Sequence, residues 1–217
     1  MKKIFNVVLA LIGFITLGAF TSCSEHVEDY YDVAKDIKIG DILLADNSIV
    51  TPSQYNGTAK AIGVVFNVRK DSVRIVSSED LGKKAYLDSI ATVPNVSGNI
   101  TLLNGKENTA ALLLSGISSP AAKAVYEYIS PVSSWHLPSL GELSLISQQY
   151  RFLTERMQQI GGSAFAEGQY LSSTQDATSE DTEKLSAFCI TLKTGVVTSI
   201  SKKMTANVRP VLVLRVR

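Results

Sequence analysis

Very few side chains in this sequence can act as nucleophiles, soft metal ligands or neutral-pH bases. There are two cysteines, Cys23 and Cys189, and two histidines, His26 and His136. Cys23 has the most informative setting. Lys2 and Lys3 open the chain, and an almost unbroken apolar run from Ile4 to Phe20 follows. Thr21 and Ser22 then stand directly before the cysteine. A basic start, an apolar centre and small residues before a cleavage point make a secretory signal. The competing reading is a membrane-spanning helix. The apolar run only just reaches the lower limit of about 17 residues for a span, and it is followed by Ser24, Glu25, Glu28 and Asp29 in place of a cationic flank. The pattern therefore implies export, with a cut next to Cys23. Cys189 lies in Ala187-Phe188-Cys189-Ile190-Thr191-Leu192 and reads as a small buried strand residue.

No nucleotide loop, zinc-protease helix or serine-hydrolase elbow is present. A catalytic or metal site built on His26 and His136 is not expected, because one lies in the tether after Cys23 and the other just before a helix. No cofactor and no metal are expected. Asp176, Glu180, Asp181 and Glu183 could supply oxygen ligands to calcium, but an acidic solvated loop is the simpler reading. The net charge is +1, and loss of residues 1–22 removes two lysines and turns it slightly negative. That balance gives no electrostatic footprint for nucleic acid.

The elements that must position these groups follow from pattern. Residues 23–36 read as a polar, acidic tether behind the anchor, and residues 37–217 as one domain. In its first part, 37–118, a hairpin spans Asp41–Val50 about Asp46-Asn47. A central strand covers 61–68 and a partner 72–76, and residues 77–104 read as long loops. In the second part, 119–217, a helix starts at Pro120 behind Ser119. A longer one starts at Ser139, where Ser139 and Glu142 form a capping box behind Pro138. Leu140, Leu143, Ile146, Tyr150, Leu153, Met157 and Ile160 extend it as one apolar stripe, and Gly161-Gly162 ends it. Four strands close the chain: 169–173, 186–192, 196–200 with a hairpin at Gly195, and 208–214, where Pro210 marks an edge or a bulge. The longest interruptions between these last strands are 174–184 and 201–207. Their residues Thr174, Gln175, Asp176, Glu180, Asp181, Lys202, Lys203 and Asn207 are the expected ligand contacts.

Three strings carry a family resemblance. They are Trp135-His136-Leu137-Pro138-Ser139-Leu140-Gly141-Glu142-Leu143, Tyr170-Leu171-Ser172-Ser173-Thr174, and Val208-Arg209-Pro210-Val211, with the Gly195 hairpin between the last two. Together they resemble the Lcl C-terminal-type and major-paralogous-type domains, in the longer lipoprotein form of gut-dwelling Gram-negative anaerobes. Leu171 replaces a usual aromatic, and His136 stands where Tyr or Arg is common. The resemblance implies an α+β, C-type-lectin-like fold with two main helices on antiparallel sheet and long loops. It gives Trp135, Pro138, Ser139, Glu142 and Arg209 structural roles. The Phe20–Cys23 string resembles a lipobox, which implies lipidation of the Cys23 thiol after export. The acids after Cys23 resemble a surface-export signal, though an ordinary solvated tether has the same composition. The calcium-binding triplets of sugar-binding lectins and the cysteines of sulfatase-activating relatives are missing, so the resemblance implies no enzyme. The expected protein is an outer-membrane, lipid-anchored, surface-exposed module that binds an extracellular glycan or protein ligand without catalysis. The other reading is a structural accessory subunit of a surface fibre or envelope complex, using a strand edge near Pro210 or the 37–50 hairpin. Asp71-Ser72-Val73 and Asp88-Ser89-Ile90 also match a short O-glycosylation pattern.

Overall fold

The computed structural model describes residues 30–31, 37–176 and 186–216. Cys23, Glu180, Asp181 and Glu183 lie outside that set. The chain alternates short strands and helices. First come β1 (Tyr30–Tyr31), β2 (Ile42–Leu44), β3 (Ile49–Val50), β4 (Ala61–Arg69), β5 (Ser72–Ser77) and β6 (Lys83–Ala85). Four helices follow: α1 (Gly105–Leu114), α2 (Pro120–Tyr126), α3 (Leu140–Gln148) and α4 (Tyr150–Gln159). The last strands are β7 (Tyr170–Gln175), β8 (Ser186–Thr191), β9 (Val196–Ser201), β10 (Thr205–Asn207) and β11 (Val211–Val216). The fold is α+β. One sheet has the order β1-β11-β5-β4-β2-β3, with five strands besides the two-residue β1, and the other has the order β6-β10-β7-β8-β9. Pairing is antiparallel except where β1 meets β11 and β10 meets β7.

The apolar patterns explain most of this. Side chains alternate faces along a strand, so β4 and β5 feed two cores. Val64, Phe66 and Val76 pack with Leu140, Leu143 and Ile146 of α3, Leu153 and Met157 of α4, and Tyr170 of β7. Val65, Val73 and Ile75 pack with Trp135, Leu137, Leu112, Leu171 and Cys189. The hairpin at Asp46-Asn47 forms, with Asn47 at φ 69° and both Ser48 N–H and Ser48 Oγ donating to Asp46 Oδ1.

Five expectations change. The stretch expected to be all tether contributes β1, which pairs Tyr30 with Arg215. The single long helix from Ser139 is two, broken at Gln149, whose side-chain amide donates to Phe66 O at 2.9 Å. The loop-rich interval 77–104 carries β6 and is followed by α1, which was not expected. Residues 201–207 are not a long loop: a tight turn leads straight into β10. The final strand begins at Val211, so Arg209 and Pro210 lie just before it.

Candidate functional site

Glu142 is fully buried in the first turn of α3. Its Oε2 accepts from Ser139 N–H at 2.9 Å while its own N–H donates to Ser139 Oγ at 3.3 Å, which completes the capping box. The carboxylate does more than cap. Arg74 Nε donates to Oε1 at 3.3 Å, and His136 Nε2 lies 3.3 Å from both oxygens. Burial alone would raise its pKa. The facing His136, the Ser139 N–H and the Arg74 guanidinium outweigh that and hold the carboxyl below its ordinary range.

The elements around it fit closely. A Cβ on Gly105 would sit 2.3 Å from Glu142 Oε2 and 2.7 Å from Leu137 O, so only glycine lets α1 begin there. A Cβ on Gly141 would lie 2.6 Å from Leu102 O. That close approach lets Ser139 Oγ donate to Leu102 O at 2.8 Å. Thr109 Oγ1 donates to Gly105 O, and Leu137 N–H donates back to the same hydroxyl. Trp135 is buried, with its ring edge-on to Tyr128. His136 exchanges both main-chain hydrogen bonds with Val211, at 2.8 and 3.0 Å.

Arg74 connects this centre to solvent. It lies on β5 opposite Val213 of β11. Its Nη2 donates to Leu103 O at 3.4 Å, while its Nη1 is buried with no partner among the described residues. Arg74 floors a cavity of about 670 Å³ between α1 and β11. Arg69, Lys106 and Arg215 stand around it with Asp71 and Glu107. Asp71 is spent on Arg215 at 3.9 Å, whereas Arg69 and Lys106, both exposed, form no ion pair among the described residues. The groove therefore has a surplus of positive charge and one unspent guanidinium nitrogen. A second cavity, about 530 Å³, lies beside Glu79 and Asp80. Its charges are used internally. Glu79 pairs with Lys60 at 3.1 Å, and Asp80 accepts from Tyr170 at 2.5 Å and faces Arg209 at 3.8 Å.

Arg209 is fully buried and ties three segments together. Its guanidinium donates to Ser77 O, Ala164 O and Ser163 O and stacks 4.7 Å from the Phe165 ring centre. The structural roles expected of Ser139, Glu142 and Arg209 thus have concrete partners. Pro138 O accepts from Ser173 N–H at 2.8 Å.

Most of the residues expected to contact ligand do not face solvent. Thr174 is buried in β7 and its hydroxyl accepts from Leu140 N–H, capping α3. Gln175 bonds to both the N–H and the carbonyl of Val93, and Lys202 donates to it at 2.6 Å. Lys202 also donates to Ala91 O and lies over the Tyr86 ring. Asp176 accepts from Ser199, and Asn207 donates to Glu167 O. These five hold long segments to the second sheet. Lys203 alone of the described members is exposed. Glu180 and Asp181 lie outside the described residues. Among the described residues no group of His, Cys, Asp and Glu is placed to hold a metal. Cys189 is buried, its thiol pushed up to about 12 by burial. Of the two serines in the short glycosylation pattern, Ser89 is exposed and Ser72 is buried.

Arg74, Arg69 and Lys106 were not singled out from sequence. The available signal was a cation at the centre of an otherwise apolar strand, Val73-Arg74-Ile75-Val76, which must find a buried partner or a ligand. Compared with known proteins, the chain matches no family model and no curated sequence.

Proposed function

We propose that the protein is an envelope lipoprotein, held at the outer membrane through lipid on Cys23 and displayed at the cell surface. It acts there as a non-catalytic binding or adhesion module for an extracellular glycan or protein. We place its ligand in the groove between α1 and β11, not on the late loops. One observation carries this: Arg74, nine-tenths buried against Glu142, lines a groove whose rim cations Arg69 and Lys106, like Arg74 Nη1, have no partner among the described residues. A buried cation with spare donors favours an anionic group. The two-sheet α+β arrangement, and the use of Trp135–Glu142 and Arg209 to join segments, agree with a lectin-like domain of the Lcl C-terminal and major-paralogous type.

The test is a glycan and protein array probed with the full chain, with and without calcium. A parallel probe carries the exposed rim changes Arg69→Glu and Lys106→Glu. Charge reversal at the rim should weaken binding about tenfold or more and flatten its dependence on salt. Binding that is indifferent to both changes would remove the groove as the site.

The structural reading, an accessory subunit of a fibre or envelope complex, has its own support. Among the described residues β3, the second arm of the 37–50 hairpin, ends the first sheet with no strand on its outer side. An incompletely covered strand edge is a place where another chain can add. Crosslinking on intact cells separates the two: a stoichiometric protein partner favours assembly, and array binding by the isolated protein favours recognition.

A further inference from the structure

We propose that Asn56 is a site of self-catalysed modification. Its side-chain amide closes onto the Gly57 main-chain nitrogen, loses ammonia, and leaves the folded protein with an added carboxylate in this loop. The same dipeptide at Asn104-Gly105 is held inert by the fold.

The sequence contains two such pairs, Asn56-Gly57 and Asn104-Gly105. Asparagine before glycine is the pair best able to react, because glycine sets no side chain across the path to its nitrogen. The amide carbon must reach that nitrogen, the peptide between them must rotate, and water or hydroxide must take the proton. Local structure decides which pair meets those needs.

The first pair meets them. Asn56, Gly57 and Thr58 are exposed, in the connection between β3 and β4 that belongs to neither sheet. Thr58 N–H donates to Asn56 Oδ1 at 3.0 Å, a turn that folds the side chain back over the Gly57 peptide. The same donor polarises the carbonyl that is attacked. Gly57 sits at φ 76°, and a Cβ built on it would meet nothing within 4 Å, so its peptide has room to rotate.

In the reaction the Gly57 nitrogen gives up its proton and bonds to Asn56 Cγ. The Cγ–Nδ2 bond breaks and Nδ2 leaves as ammonia. Water then opens the cyclic imide at either carbonyl and restores the Gly57 N–H. The product is aspartate, or isoaspartate with the main chain rerouted through the side chain. One amide and one water give one carboxylate and one ammonium, with nothing oxidised or reduced.

The second pair fails each need. Asn104 stands directly before α1, its carbonyl accepts from Asn108 N–H at 3.0 Å, and its Nδ2 donates to Asn108 Oδ1 at 3.4 Å. Gly105 is buried, and a Cβ there would lie 2.3 Å from Glu142 Oε2 and 2.7 Å from Leu137 O. Its peptide has no room to turn, and its nitrogen is shielded from water.

The new charge falls in a defined place. Gly57 lines the cavity of about 530 Å³ together with Lys60 and Glu79, which form an exposed ion pair. A carboxylate at position 56 brings a second acid to that rim, and the protein ages into a form one charge more acidic.

The experiment ages the full chain at neutral and at mildly alkaline pH, native and in parallel in guanidinium chloride. Each sample is mapped by proteolysis and mass spectrometry with isoaspartyl peptides resolved. Native protein should accumulate isoaspartate and aspartate at position 56 at least about tenfold faster than at position 104. The rate should rise with pH and match the growth of an acidic band on isoelectric focusing. In denaturant the two sites should approach one rate. Asn56→Gln should remove the acidic band, because the longer side chain must close a larger, less favourable ring, and should leave the urea midpoint unchanged. Comparable native rates at the two sites, a faster reaction at position 104, or an unmodified Asn56 in native protein whose denatured sample reacts would each overturn the proposal.

Discussion

At the scale of single residues, Glu142 joins capping, ion pairing and chain crossing in one carboxylate. A buried ion pair is weak evidence of stability when whole, yet breaking it from one side is costly. Glu142→Gln should therefore destabilise the protein by about 3–5 kcal/mol, read from the urea midpoint at unchanged m-value. Most of that cost comes from leaving Arg74 uncompensated, so adding Arg74→Met should recover part of it. The pH dependence has a definite sign. The folded state lowers the Glu142 pKa, so its contribution is full above the ordinary carboxylate range. It is lost as pH falls through the lowered folded value. A urea series from neutral pH into acid should show this loss in the parent and a shallower acid limb in Glu142→Gln. An equal slope in both would place the acid sensitivity elsewhere. Sequence pattern marked Ser139 and Glu142 as a cap, because a capping box is local. It could not mark Arg74 as the partner, since that contact joins residues 68 positions apart.

At the scale of elements, legibility followed the apolar period. The strands β4 and β5 are continuous buried runs, the helix opening at Ser139 spaces its buried apolar residues by three, and all three begin where the pattern put them. The helix α1 shows the reverse. Its buried residues are Gly105, Asn108, Thr109 and Leu112, a mostly polar face with no apolar stripe to see. It is held by hydrogen bonds: Asn108 accepts from Ser97 N–H at 3.1 Å and donates to Ser173 Oγ at 3.4 Å. Asn108→Ala should therefore cost about 1–3 kcal/mol and should raise hydrogen exchange at Ser97 and along α1 before the sheets open. Uniform exchange would mean that α1 is held by Leu112 alone. The strand β10 was hidden for a related reason. Its three residues are too few for a period, and it exists because β6 and β7 flank it. Candidate ligand residues failed the same way, because polar side chains between strands look identical in sequence whether they reach solvent or, like Gln175 and Lys202, hold a distant loop.

At the scale of the whole molecule, the anchor and the groove make separable predictions. Cys23→Ser should move the protein from the detergent phase to the aqueous phase on Triton X-114 partition of cells. Its urea midpoint should be unchanged, since the role proposed for this thiol is to carry lipid. Retention in the detergent phase would point to an uncleaved apolar segment instead of lipid. The ladder between β5 and β11 has a consequence of another kind. Val76 pairs with Val211, and Ser72 with Arg215, so β5 is closed on one side only by a strand far along the chain. Until that strand pairs, β5 offers a bare apolar edge, and the capping carboxylate has no closed wall behind it. Closing such remote pairs is slow compared with local helix formation. The first sheet therefore stays unfinished until that remote pair closes. A product cut short before Val211 would emerge as a sticky, incomplete sheet, open to capture by quality-control proteases.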